Sequence, residues 1–196
     1  IITGWGSAIA QQFRTLLPED EIPMRADVRS VDFPFPHNQE RYLFCHGLLY
    51  PKQIEDQTNL EIELSEEANY HSVVRHCDAI IAVSDFARIC VIGSESGYRG
   101  SYDMTYAAAK ANLHRYVESK KLRTEHQQLI AISPSIIADS VMTLRRLDRK
   151  ALALKEQAHP KLRFLKAIEV AKMAYTLLYE QPYISGTVIR MHGGAS

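Results

Sequence analysis

The feature that most limits the fold is an alternation, along the whole chain, of short apolar runs with longer stretches whose apolar residues recur at helical spacing. Ile1-Ile2-Thr3, the run resuming at Arg41 and reaching Leu49, Ala87 to Ile92, Gln128 to Ser133 and the last run after Gly186 read as strands. Between them, Ala8, Ile9, Phe13, Leu16 and Leu17 form an apolar face that Pro18 stops. Tyr70, Val73, Val74, Cys77, Ile80 and Ile81 form another, and Lys166 to Tyr179 is strongly periodic. Strands separated by helices require crossovers, which are right-handed and place helices over the sheet. The expected fold is α/β: one doubly wound Rossmann-type domain over residues 1–196, with a mostly parallel sheet and helices on both faces. A chain of 196 residues with 46% hydrophobic and 23% charged content supports one such core.

Parallel order sends every strand's carboxyl end to one edge, where open α/β sheets bind ligands. There the Gly4 turn, Cys45-His46-Gly47, Ser94 and Pro134 come together. The stretch Val91 to Leu113 adds Tyr106 and Lys110, four residues apart in an alanine-rich run that reads as a helix, so phenol and ammonium share a face. A cation beside a phenol favours phenolate and makes it usable in acid–base chemistry. Ser94 ends the strand that leads in, with Ser96 a rival for the same role.

Thr3 to Ala10 reads as a strand end, a glycine turn and a helix opening, which could present N–H groups to a phosphate or be an ordinary turn. A second strand over Glu21 to Val28 leads to Asp27, placed to meet a ribose hydroxyl, while Arg25 and Arg29 could instead hold a 2′-phosphate. Residues 30–41 read as a proline-broken connection with a short strand at Val31-Asp32-Phe33, and residues 50–65 as a polar loop before a helix starting at Ser65. Asn69 falls inside that helix, where asparagine competes for backbone groups. Residues 136–160 read as a helical, amphipathic insertion over the substrate, with Arg145, Arg146 and Arg149 suited to a carboxylate or phosphate.

A formal charge of zero gives no electrostatic case for nucleic acid or an anionic membrane. Cys45, Cys77 and Cys90 read as reduced core residues, no metal site is expected, and no run approaches the ~20 apolar residues of a membrane span. A cytoplasmic protein is expected, with a few residues preceding Ile1.

Thr3-Gly4-x-x-x-Ala8-Ile9-Ala10, Cys45-His46-Gly47, Asn69, Ser94, Tyr106-x-x-x-Lys110, Pro134-Ser135 and Tyr183-Ile184-Ser185-Gly186 followed by Gly193-Gly194 resemble the landmarks of the short-chain dehydrogenase/reductase family. The resemblance implies an NAD(P)-dependent oxidoreductase interconverting an alcohol and a ketone or aldehyde. Tyr106 would be the general acid/base, Ser94 would polarise the carbonyl, Lys110 would lower the tyrosine pKa and hold the ribose, and Asn69 would hold a relay water. It implies NAD or NADP contacts from Gly4, Trp5, Gly6, Ser7, Ala8, Ile9, Asp27, Cys45, His46, Gly47, Tyr106, Lys110, Pro134, Ser135 and Ile137, with a homodimer or homotetramer as the assembly. The departures are Ala8 and Ala10 where glycines are usual, Cys45-His46 for Asn-Ala, Ser135 for glycine, and Asp139, an acid near the expected pyrophosphate. These keep open a second reading, a module of the same fold that senses a nucleotide or small ligand without turnover.

Overall fold

The computed structural model describes residues 1–27 and 36–195. Five strands, β1 (Ile2–Thr3), β2 (Arg41–Phe44), β3 (Arg88–Ile92), β4 (Gln128–Pro134) and β5 (Thr187–Met191), form one sheet in that order with every pairing parallel. One row of the register runs Ile2, Leu43, Cys90, Ile130, Thr187. On the other side of β1, Ile2 N–H donates to Met24 O (2.9 Å) and Ala26 N–H to Ile2 O (3.1 Å), so Arg25 bridges Ile2 in parallel. The chain therefore runs outward from β1 and re-enters beyond it at β2, the reversal that makes the sheet doubly wound. The switch point lies between the ends of β1 and β2.

The strand expected over Glu21 to Val28 is reduced to that bridge. Pro23 cannot donate to a ladder, and Ile22 and Met24 stay exposed. Arg29 and the short strand expected at Val31 to Phe33 lie outside the described residues.

Eight helices are described: α1 (Ala8–Arg14), α2 (Asn59–Glu66), α3 (Ser72–Val83), α4 (Ser96–Arg99), α5 (Met104–Ser119), α6 (Val141–Leu144), α7 (Arg149–Gln157) and α8 (Ala167–Tyr175), the last prolonged by a π turn at Thr176–Glu180. Strand side chains alternate between two cores. Leu43, Cys45, Cys90, Ile92, Ile130 and Ile132 pack with residues of α1 and α8; Tyr42, Phe44, Ile89, Val91, Leu129 and Ala131 pack with residues of α3 and α5. The three cysteines are buried free thiols within these cores. Among the described residues no helix is long and apolar enough to cross a membrane.

Residues 50–65 are more ordered than the sequence suggests. A 3₁₀ turn at Ile54–Asp56 precedes α2, so the helix begins well before Ser65, whose side chain is buried within α2. Thr58 caps α2 by accepting from Glu61 N–H (3.2 Å), and Glu61 accepts from Thr58 N–H (2.9 Å). Leu60 and Leu64 are exposed, so no apolar stripe marks this helix. Its start rests on the cap, and Thr58→Ala is expected to lower stability by about 1 kcal/mol, read as a lower urea midpoint at unchanged slope.

Residues 136–160 also differ from expectation, since two short helices, α6 and α7, replace one amphipathic element. The base of this excursion is pinned. Ala138 N–H donates to Leu165 O (2.8 Å), Leu165 N–H to Ile136 O (3.1 Å), and Ile137 bridges Leu165 in parallel.

Candidate active site

The carboxyl ends of β1, β2 and β3 supply the site. At β1, Gly4 has φ +59° and a Cβ there would lie 2.5 Å from His46 N, so the turn needs glycine. Gly6 stands over open space, and Ser7 caps α1 by accepting from Ala10 N–H (3.2 Å). The Arg14 guanidinium lies over the Trp5 ring (4.1 Å) and donates to Trp5 O (3.0 Å), folding Trp5 back on α1. Ala8 and Ile9 start α1, with Ile9 buried in the core, so only its backbone could face a ligand.

At β2, Thr3 Oγ1 accepts from Cys45 N–H (3.2 Å) and bonds His46 Nδ1 (2.7 Å), which joins the two strand ends. Burial pushes the Cys45 thiol up to about 12, against the opposing pull of Ser7 and Lys110. The thiol is thus a neutral wall residue. Gly47 sits where three side chains meet: a Cβ there would be 3.2 Å from Asn69 Oδ1, 3.8 Å from the Met142 methyl and 4.0 Å from Lys110 Nζ.

Asn69 lies in a π turn, Glu67–His71, between α2 and α3. Such turns widen a helix by one residue and recur at functional sites. Its side-chain amide is 0% exposed and closes on both backbone groups of Leu48, donating to the carbonyl (2.6 Å) and accepting from the N–H (3.2 Å), while also donating to Ser65 O (2.8 Å). The helix-interior asparagine therefore fixes the chain leaving Gly47.

α5 carries Tyr106 and Lys110 on one face. Lys110 is 2% exposed and Nζ donates to Ile92 O (2.9 Å), 5.8 Å from the centre of the Tyr106 ring. Burial lowers its ammonium to about 8. The Tyr106 phenol differs from expectation. Burial raises its pKa, and the charge of Asp103 raises it further. The Ser94 hydroxyl, within hydrogen-bonding reach, pulls it down. At neutral pH Tyr106 is therefore a neutral phenol beside Ser94, its pKa raised where the sequence predicts a lowering by Lys110. The Ser94 hydroxyl also accepts from Ser96 N–H (3.2 Å).

Several groups here escaped sequence reading. Asp103, 1% exposed, caps α5 by accepting from Tyr106 N–H (2.9 Å) and also accepts from Tyr50 N–H (2.8 Å) and Gln57 Nε2 (3.0 Å). An Asp three residues before the tyrosine is an N-cap signal that could have found it. Glu95 forms a bidentate pair with Arg190 of β5 (3.0 and 2.7 Å) and accepts from Ser133 Oγ (3.2 Å). Burial raises the Glu95 carboxyl, but Arg190 and Ser133 more than offset this and hold it below the usual range.

The remaining expected residues lie around this centre. Pro134 ends β4, and Ser135 N–H donates to Met191 O (3.1 Å), joining the ends of β4 and β5. Asp139 accepts from Ala167 N–H (2.8 Å), which ties it to the start of α8. Arg25 and Asp27 are exposed on the outer side of β1. Arg146 pairs with Asp148 (2.9 and 2.6 Å) and Arg149 donates to Leu144 O, so both are bound within their own loop, and Arg145 is exposed.

No protein-family model matches this sequence, and no curated protein does. Solved structures match over nearly its whole length. A short-chain dehydrogenase/reductase from Brucella melitensis, named as a glucose/ribitol dehydrogenase, superposes with a TM-score of 0.83 at 19% identity, covering 98% of this chain and 94% of that one. The chain has the short-chain dehydrogenase/reductase fold. An oxidoreductase of that family from Burkholderia thailandensis gives a TM-score of 0.80 at 17% identity, covering 98% of this chain and 90% of the other. A small-chain dehydrogenase in complex with NADPH gives 0.80 at 18% identity, with 98% and 95% covered. In this fold the ends of β1, β2 and β3 flank the switch point, and Gly4, Gly47, Ser94, Tyr106 and Lys110 gather there.

Proposed function

We propose that this chain is a divergent short-chain dehydrogenase/reductase, an NAD(P)-dependent oxidoreductase interconverting an alcohol and a ketone or aldehyde. The observation that carries this reading is the convergence of Ser94, Tyr106 and Lys110 at the end of β3, with the phenol neutral and the ammonium one turn away.

The residues fit a nicotinamide dinucleotide. Gly6 is open above the turn, and Gly47 lacks the Cβ that would fill the space between Asn69 and Lys110. Asp139, the acid that would have opposed a pyrophosphate, is bonded to the start of α8. Hydride chemistry is what such a group supplies when bound. The protein's part is the proton. Tyr106, a neutral donor, gives its proton to the substrate oxygen as that oxygen gains charge, and Ser94 donates a hydrogen bond to the same oxygen. Lys110, charged below about 8, stabilises the phenolate left behind. Two of its three N–H groups are not used on Ile92 and suit ribose hydroxyls. Asn69, its amide engaged with Leu48 and Ser65, serves the site by keeping Gly47 in place. A module that only senses a ligand has no need of this proton machinery. A homodimer or homotetramer built on the helical segments that hold Asn69 and Tyr106 goes with this reading.

The test is direct titration with NADH and NADPH, followed by nucleotide fluorescence. Binding of one or both is expected below millimolar concentration. Arg25→Ala is expected to weaken NADPH about tenfold and spare NADH if Arg25 holds a 2′-phosphate, whereas Asp27→Ala would weaken NADH if the carboxylate holds the ribose. Failure of both dinucleotides to bind at millimolar concentration would sink the oxidoreductase reading.

A further inference from the structure

α5 reaches the end of β3 at three successive turns. Tyr106 meets the Ser94 hydroxyl, Lys110 binds Ile92 O, and His114, one turn further on, accepts from Ser94 N–H through Nε2 (3.4 Å). The imidazole is 3% exposed and stacks on Tyr98 at 4.7 Å between ring centres. Two glycines on either side of Ser94 make room for it. A Cβ at Gly93 would lie 2.3 Å from Nε2, and one at Gly97 would lie 2.8 Å from Cε1 and 2.9 Å from Nδ1. Nε2 accepts only with its lone pair free, so the ring is neutral and carries its proton on Nδ1. That nitrogen is buried without a hydrogen-bond partner. A ring kept only for packing would not leave a polar atom unsatisfied; an apolar side chain fills such a cradle without that penalty.

We propose that His114 is a positioning residue, a neutral acceptor that fixes the backbone of Ser94 and so holds the serine hydroxyl against Tyr106. The groups facing the ring are Lys110 on its own helix, Glu95 and Tyr98 from the segment after β3, and Arg190 from β5. Burial, then the charges of Lys110 and Arg190 against that of Glu95, lower its pKa to about 4. The acceptor therefore survives across the neutral range. A second proton would set N–H against N–H and release the serine.

The effect on turnover rests on the oxidoreductase reading, but the first measurement does not. In protein labelled with ¹³C at tyrosine Cζ, Tyr106 is identified by the signal lost in Tyr106→Phe. At neutral pH its shift reports hydrogen bonding at the phenol oxygen, and Ser94→Ala gives the value without the serine. His114→Leu is expected to move the signal toward the Ser94→Ala value. His114→Gln, whose side-chain oxygen reaches the place of Nε2, is expected to keep it at the wild-type value. His114→Met supplies the apolar comparison if leucine is not accommodated. In turnover, the apolar variant should lose about tenfold in kcat, the effect of one hydrogen bond, with KM for the dinucleotide unchanged and glutamine restoring the rate. If apolar and glutamine variants leave the signal alike, whether both shifted or both unshifted, His114 only fills space and the proposal is overturned. The resonance needs neither dinucleotide nor substrate, so its outcome stands apart from any failure of the oxidoreductase reading.

Discussion

Tyr106→Phe is expected to bind dinucleotide as the unsubstituted chain does and to lose carbonyl reduction by about 10²–10⁴-fold, the range of a positioned general acid. The ring keeps its place in the core, so unfolding midpoints should hardly move. The pH dependence follows from the same site. Burial keeps the phenol neutral past its ordinary value, so it can donate a proton across the neutral range. Lys110 sets the alkaline limit instead, because its ammonium, depressed to about 8, is charged below that pH and lost above it. The reductive kcat/KM, which reports the free enzyme, should therefore be level through neutrality and fall above about pH 8. Alcohol oxidation needs the phenolate and should rise with pH. A reductive profile that climbs through pH 8, or a Tyr106→Phe protein with undiminished turnover, would remove Tyr106 from the proton-transfer role.

Gly4→Ala is expected to be the most damaging small substitution in the cofactor-side half. At φ +59° any Cβ costs about 1–2 kcal/mol. This Cβ would also lie 2.5 Å from His46 N and 2.6 Å from the Cys45 carbonyl carbon, backbone atoms that cannot rotate away. Overpacking of that kind adds about 1–3 kcal/mol, for a total of about 2–5 kcal/mol. Urea unfolding should read this loss, and dinucleotide affinity should fall with it, since the turn and the β2 exit move apart. Gly6→Ala is the matched control. Nothing lies within 4 Å of its Cβ position, and its stability should stay within about 0.5 kcal/mol of the original. Equal stability of the two variants would show that the turn does not need glycine at position 4.

The fold was legible because periodicity survives distant sequence change. Strand side chains such as Leu43 and Phe44 must alternate between two cores, and α8 must bury one stripe, so the pattern is written into the residue order. The convergence of Ser94, Tyr106 and Lys110 was legible for the same reason: one strand end and one helix face fix it. What escaped depends on pairs remote in sequence. Asp103 meets Gln57 and Tyr50, and Glu95 meets Arg190, across separations that no local pattern records. The direction of the Tyr106 shift escaped too, because burial sets it, with Ser94 and Asp103 pulling in opposite senses, and not the lysine one turn away. α2 was hidden because its leucines face solvent, leaving only the Thr58–Glu61 cap as a sign. Asp139 looked hostile to a phosphate from its position alone; its bond to Ala167 is a tertiary fact.

The pinned base of the excursion after β4 fixes how its helices meet the sheet edge. Ile136, Ile137 and Ala138 are laced to Leu165, and Asp139 is anchored at Ala167, so the loop leaves and returns at nearly one point. Between those anchors the segment still touches the site through α6, where the Met142 methyl lies 3.8 Å from the Cβ position of Gly47, beside Asn69 and Lys110. Side-chain changes in α7 should therefore leave Ser94, Tyr106 and Lys110 in place, whereas a bulkier residue at Met142 should press on the chain leaving β2.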